Sequence, residues 1–375
     1  MRRHEITRHR RNAQDFLVPD RVTKTMSVSV LFIHMLATLS GLSSASAGTI
    51  VSWGSNHSQE ITNTPKGENY MAVCGMGHGA LALRNDGSIV AWGADFRGQV
   101  SHAPAGTGFT AIAGASEAGI ALRADGSIVA WGYDGDGMVR NAPRDIGFTA
   151  IAAGNNTGYA LRADGSIVAW GGNPWGNLNV PAGNGFTAIA GGLELAYALR
   201  SDGSIVAWGK SFYGNAIRQV PRGTGFASIA SGGDTGFALR LDGSIAAWGL
   251  DEYRQVDDAP NGRVFTAIAG SLFNGYALKA DGSIAAWGAD WRKQVSEAPT
   301  GGGFFAIAAG VTTGYALHGE RNTTPMPSIP EPSALLLAFI GVLGGIGRKA
   351  LWSGNGVTSG IGTGNGPEMG KKCLA

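Results

Sequence analysis

The chain is short of cysteine and of charge. Its two cysteines, Cys74 and Cys373, lie nearly the whole of 375 residues apart, so disulfides are not its framework and no paired-Cys metal spacing exists. Charged residues make up 15% of the chain, and the formal net charge is +2. That positive balance sits at the ends: residues 1–25 hold 7 Lys/Arg against 3 Asp/Glu, whereas residues 48–329 hold 18 Lys/Arg against 22 Asp/Glu, a net of −4. A mildly acidic body without a basic stripe argues against nucleic acid as a partner. The seven histidines never pair at metal-ligand spacing, and no Gly-rich phosphate loop precedes a helix. Neither a metal nor any other cofactor is expected. "DGDG" at residues 134–137 resembles the start of a calcium loop but lacks the bidentate acid at its far end, and reads as a structural turn.

Long apolar runs are also scarce. Residues 26–41, "MSVSVLFIHMLATLSG", are too short and interrupted for a comfortable membrane span. They run into "SSASAG", which puts Ala45 and Ala47 at the small-x-small positions a signal peptidase requires, with Arg21 and Lys24 as a basic flank. Residues 1–47 therefore read as a secretory signal region, cleaved after Ala47, rather than as a buried core helix. The 25 residues before Met26 are long for a leader and leave Met1 and Met26 both open as the start. Residues 321–332 form a Pro-rich linker ending in Pro330-Glu331-Pro332. An apolar stretch and the basic pair Arg348-Lys349 fill residues 333–350, and residues 351–375 are a Gly-rich tail. The order triplet, apolar run, basic pair resembles the PEP-CTERM sorting signal of Gram-negative bacteria. That resemblance implies recognition of the triplet by an exosortase-type enzyme, a transient hydrophobic membrane anchor, and export to the periplasm, cell surface or matrix. Basic residues on the cytoplasmic side agree with the positive-inside tendency. The family's signals usually stop soon after the basic cluster, whereas this chain continues.

Between these ends the chain is periodic. Trp-Gly pairs place tryptophan at 53, 92, 131, 170, 208, 248 and 287, with spacings of 39, 39, 39, 38, 40 and 39. Tyr70 and Phe109, Phe148, Phe186, Phe226, Phe265 and Phe304 run in phase. Seven markers of each kind mean seven units. Within one unit, "FTAIAAG" alternates like a strand, "YALR" is a second strand, and "SIVAWG" a third. "ADGS" is a tight turn in which glycine supplies the positive φ that joins antiparallel strands. "LNVPAG" reads as a fourth, Pro-ended edge strand. Four short strands repeated radially, with no helix, predict an all-β seven-bladed propeller over residues 48–320, flanked by an N-terminal signal helix and a C-terminal hydrophobic helix. The first unit lacks its first two strands and the last lacks its final two, so both ends are expected to join in one composite blade that closes the ring. The six repeated aspartates (Asp86, Asp125, Asp164, Asp202, Asp242, Asp281) are turn residues, since a catalytic group is needed once and a turn in every blade. Cys74 replaces a small strand residue, Ala113 in the next unit, and reads as a buried inert thiol.

The phrases "FTAIAAG", "YALRADGSIVAWG" and the following "GQ" resemble the RCC1 (regulator of chromosome condensation) repeat, a family of seven-bladed propellers; Gly rather than Asp after each Trp separates the chain from WD40. The insertion-free unit is similar in style to secreted bacterial members such as β-lactamase inhibitor protein II. The resemblance specifies a fold more than a role. In that inhibitor, aromatics on loops between first and second strands grip the enzyme; here those loops hold one aromatic, Phe273. The loops after the third strands vary most and present Phe96, Arg97, Trp175, Phe212, Tyr213, Tyr253, Arg254, Trp291 and Arg292. Aromatic and Arg side chains dominate interface hot spots, so these are the candidate binding residues; the alternative is that their rings fold over the blade edge and cover its core. The expected function is that of an exported, non-catalytic, monomeric module binding an unidentified surface protein or exopolysaccharide. The alternatives are a protein inhibitor of a secreted enzyme and a polysaccharide-acting propeller enzyme. No catalytic residues stand out for the last.

Overall fold

The computed structural model describes residues 48–319, apart from 213 and 214. The signal-like segment with Ala45 and Ala47, and the segment with Pro330, Glu331 and Pro332, lie outside the described residues, as do both expected terminal helices. The described residues form 21 strands, β1–β21 in chain order, in seven antiparallel sheets. The first complete blade is β2 (Tyr70–Gly75), β3 (Gly79–Arg84) and β4 (Ile89–Gly93), and five more follow it in sequence. The seventh takes β20 (Phe304–Ala309) and β21 (Thr313–His318) from one end and β1 (Thr49–Gly54) from the other, with β1 paired to β21 from Thr49–His318 to Gly54–Thr313. First strands touch in cyclic order: β2, β5 (Phe109–Gly114), β8 (Phe148–Ala153), β11 (Phe186–Gly191), β14 (Phe226–Gly232), β17 (Phe265–Gly270), β20, and back to β2. The expected ring and its composite closing blade are both present.

The blades have three strands, not the four expected. The segment read as an outer strand ("LNVPAG" and its equivalents) is a turn, because a side chain captures its amides first. Asp95 Oδ1 accepts from the N–H groups of Val100 (2.8 Å) and Ser101 (3.0 Å), and Asp134, Asp251 and Asp290 do the same for the two residues at equivalent positions in their loops. Helix-like bonds such as His102 N–H to the Gly98 carbonyl take up further groups. Few backbone groups remain to pair with the third strand.

Middle strands are buried along five consecutive residues, as β3 and β21 show, because each is covered by sheets on both sides. Two kinds of latch then hold blade to blade. On the face of the Asp-Gly turns, the turn glycine's carbonyl accepts from the N–H opening the following blade: Phe109 to Gly87, Phe148 to Gly126, Phe186 to Gly165, all 3.1 Å. Gly87 sits at φ +77°, and a Cβ there would strike the Gly108–Phe109 backbone, so the turn needs glycine for conformation and for space. On the opposite face the repeat tryptophans other than Trp248 donate their indole N–H to the preceding blade's long loop: Trp92 to the Glu60 carbonyl, Trp131 to Gln99, Trp170 to Met138, Trp208 to Asn177, Trp287 to Gln255. Trp53 closes the ring onto Gln294 at 2.9 Å, across 241 residues. Each of the seven is nearly fully buried. Burying a Trp contributes about 5 kcal/mol from about 200 Å² of surface before entropy is counted. Room for it comes from the facing strand: a Cβ on Gly119, Gly158, Gly236, Gly275 or Gly314 would run into the ring.

On the turn face, Arg84, Arg123, Arg162, Arg200 and Arg240 stack over Tyr70, Phe109, Phe148, Phe186 and Phe226 at 4.5–5.6 Å. The turn carboxyls are held below the ordinary carboxylate range. For Asp86, Asp125, Asp202, Asp242 and Asp281 the largest cause is the hydroxyl of the serine two residues on, followed by its N–H; for Asp164 the N–H comes first.

Replacing Trp170 by Phe is expected to cost about 1–3 kcal/mol beyond lost packing, because the Met138 carbonyl loses its buried donor. Trp248, whose indole N–H has no acceptor among the described residues, should tolerate the same change with a smaller loss; urea unfolding of the two variants compares them. Because the six turn aspartates titrate lower in the folded chain than in the unfolded one (about 3.9), their stabilisation is complete above that value and is lost as pH falls through their folded values. The thermal midpoint should therefore decline only below about pH 5, and Ser→Ala at the six turns should make that acid limb shallower.

Candidate functional site

The long loops after the third strands share one architecture. Residue 99, and every thirty-ninth residue from Glu60 to Gln294, provides the carbonyl position of the indole latch. Gln99, Gln255, Gln294 and Glu60 are buried. Their side chains turn back to accept from the N–H two residues earlier, on Arg97, Tyr253, Arg292 and Ser58, at 2.7–2.8 Å. The residue between adopts positive φ: Gly98, Gly137 and Gly176, but also Gln59, Asn215, Arg254 and Lys293 at 55–64°. Held at both ends, the loop leaves its middle residues projecting from the rim.

Those residues gather at the seams between neighbouring blades. At one seam Trp175 and Phe212 meet edge to face at 5.0 Å, and Lys210 Nζ lies 3.8 Å from the first ring's centroid and 4.5 Å from the second's. At a second, Tyr253 meets Trp291 at 4.7 Å, and Phe273, from the short loop between β17 and β18 (Asn274–Lys279), contacts both at 5.3 and 5.0 Å. At a third, the Arg97 guanidinium lies 5.3 Å from the Tyr133 ring centroid and 3.6 Å from Glu117. Phe96 stands out beside it, 73% exposed; Trp291 is 51%, Phe212 43% and Trp175 42% exposed. The rings thus brace one another while keeping a face to solvent, rather than folding over the blade core.

One expected binding residue is placed otherwise. Arg254 folds back onto Asp258 in a bidentate pair at 2.7 and 2.9 Å, which holds its guanidinium charged. Tyr213 lies outside the described residues. Phe273, Lys210, Tyr133 and Glu117 join the clusters although none was among the candidates. The signal for them is seam register: each lies one blade along from a candidate.

The axial mouth on the same face is a cavity of about 120 Å³. Short loops such as Gly75–Gly77 and Gly191–Leu193 line it, with the hydroxyls of Ser116, Ser231 and Ser271 and the amide of Asn155 as its polar side chains. A Cβ on Gly75, Gly114 or Gly191 would strike a neighbouring blade's carbonyl, so backbone packs tightly about the axis. Burial pushes the Cys74 thiol up to about 12, leaving it inert at neutral pH. Asp134, the first residue of "DGDG", caps Val139 and Arg140 and pairs with the Arg140 side chain.

The sequence model of the regulator of chromosome condensation (RCC1) repeat matches residues 148–174, which span the third complete blade. None of the curated proteins matches the chain by sequence. Among solved structures, Prp20p from Saccharomyces cerevisiae superposes with a TM-score of 0.60 at 16% identity, covering 80% of this chain and 96% of that one. Human WBSCR16 gives 0.61 at 14% identity, over 73% of this chain and 99% of that one. The ectodomain of the Physcomitrella patens receptor kinase CR4 gives 0.56 at 22%, over 70% and 72%. The fold is that of an RCC1-like propeller, carried here on a diverged sequence.

Gln255→Ala is expected to destabilise the fold by about 1–3 kcal/mol, since it strands the buried turn of the loop. Trp291→Ala, on the rim, should change stability by about 1 kcal/mol or less. Denaturant midpoints at constant m-value distinguish the two.

Proposed function

We propose that the chain is an exported, non-catalytic binding module that engages a macromolecule, a surface protein or an exopolysaccharide, through the seams of its variable loop face. One observation carries the reading: exposed aromatic and cationic side chains collect in clusters on that face, whereas the turn face repeats the same Asp-Ser and Arg-aromatic contacts from blade to blade. Exposed, preorganised rings next to cations suit binding hot spots, because little side-chain entropy remains to be lost. RCC1-like propellers serve as binding scaffolds: the structure of Prp20p was described together with its binding to Gsp1p and histones. The signal-like residues 26–47 and the PEP-CTERM-like residues 330–349 support export, with a partner in the periplasm, at the cell surface or in the matrix.

Purified full-length chain should bind either the polysaccharide or the surface-protein fraction of the producing cell's envelope. Replacing both Trp175 and Trp291 by Ala should weaken that binding by about a hundredfold or more, the worth of two hot-spot rings. Undiminished binding by the double variant would remove the loop face from the account, and turnover of any polysaccharide by the purified chain would overturn the non-catalytic reading.

A further inference from the structure

The seam between the sixth complete blade and the closing blade holds a second feature beside the Tyr253–Phe273–Trp291 cluster. A cavity of about 310 Å³ opens there, with Trp291, Arg292 and Lys293 on one side and Gly54 to His57 on the other. Its size is at the lower end of the range that ligand pockets occupy. Trp291 forms one wall, and two rings packed against it at 4.7 and 5.0 Å restrict its motion.

The charges are unevenly committed. Lys293 Nζ pairs with Glu297 at 2.6 Å, which keeps its ammonium charged and turns it along its own loop. The Asp290 carboxylate is directed into that loop, accepting from the amides of Val295 and Ser296. Among the described residues, no carboxylate lines the cavity. The Arg292 side chain is exposed, and among the described residues only its backbone N–H is engaged, with Gln294. An uncommitted guanidinium beside an exposed aromatic face is thus set into a body whose net charge is −4 over residues 48–329.

From this geometry we infer that the cavity is a subsite for a carboxylated sugar unit of an acidic polysaccharide. The assignment rests on the loop-face reading above. The apolar C–H face of the sugar stacks on Trp291, its carboxylate takes two parallel N–H bonds from Arg292, and His57 supplies a polar contact to its hydroxyls, while the Asn56 side chain stays engaged with the Ile61 and Thr62 amides of its own loop. Guanidinium is the cation suited to this, since its planar fork matches a carboxylate. A neutral sugar would leave that fork without a partner. A protein interface of ordinary size would need a broad complementary surface rather than a cleft of this volume.

The test is calorimetric titration of the full-length chain with hexamers of polygalacturonate and alginate, and with the methyl esters of the galacturonate series, which keep the ring faces and remove the charge. At least one acidic series is expected to bind, the corresponding ester about tenfold more weakly, the worth of one charge-assisted pair. Arg292→Gln should lower affinity for the acid about tenfold while leaving the ester unchanged. Trp291→Ala should abolish binding of both, and Arg263→Gln, on the turn face where that guanidinium pairs with Asp242, should leave both within about twofold, with circular dichroism confirming that all variants fold. Equal affinity for acid and ester, an Arg292→Gln variant that binds as the parent does, or no binding of either acidic series would overturn the assignment. If Trp291-dependent capture of a surface protein persisted in those cases, the loop-face reading would stand without it. If the Trp175/Trp291 double variant kept all envelope binding, that reading would fall as well.

Discussion

The indole latch is the contact on which the other features depend. A tryptophan wedged between two sheets is worth several kcal/mol as a hydrophobe, but its N–H must find an acceptor in a place without water. That acceptor is the carbonyl thirty-one or thirty-two residues earlier, at the end of the preceding blade's long loop. One bond therefore seats the wedge, ties blade to blade, and anchors the loop whose middle residues reach solvent. The same bond between Trp53 and Gln294 brings the ends of the ring together. Only the blade whose long loop runs eight rather than seven residues from Trp208 to the latch position departs from the rule: Trp248 opposite it has no acceptor among the described residues. That longer loop carries Phe212, one of the exposed rings.

Much of this was legible in the sequence because its causes are local and repeated. A 39-residue period, Asp-Gly turns and a Trp in every unit imply blades, and half-units at both ends imply a composite one. The missing fourth strand was not legible. "LNVPAG" has the apolar, Pro-ended pattern of an edge strand, and what decides against it is a carboxylate or amide five residues upstream that captures the backbone. The glutamines of "GQ" were misleading in a different way. A polar residue in a variable loop suggests solvent, yet Gln255 and Gln294 are fully buried, because the side chain satisfies a loop amide while the main chain accepts the indole.

The candidate site was half legible for a related reason. Composition marks which loops vary and where the rings are, so Trp175, Phe212, Tyr253 and Trp291 could be named. It does not say which meet, since contacts cross seams and join residues from different units. Phe273 joins Tyr253 and Trp291 through a short loop of the adjoining blade, and Arg254 leaves the face for Asp258. The side-chain clusters on this scaffold are therefore a property of neighbouring pairs of units: near-identical wedges set the spacing, and differing loop residues combine across it. Solved structures share the fold at 14–22% identity.

Amide hydrogen exchange across the full chain tests the central claim, that the composite blade closes the ring as firmly as the continuous blades are held, most directly. If it does, the amides of β1 and β21 exchange as slowly as those of β3 and the other middle-sheet pairs, and all are released in a single cooperative opening. Exchange of β1 and β21 that is markedly faster than that of the continuous blades would mean that the ring is not sealed at its ends, and would contradict the account.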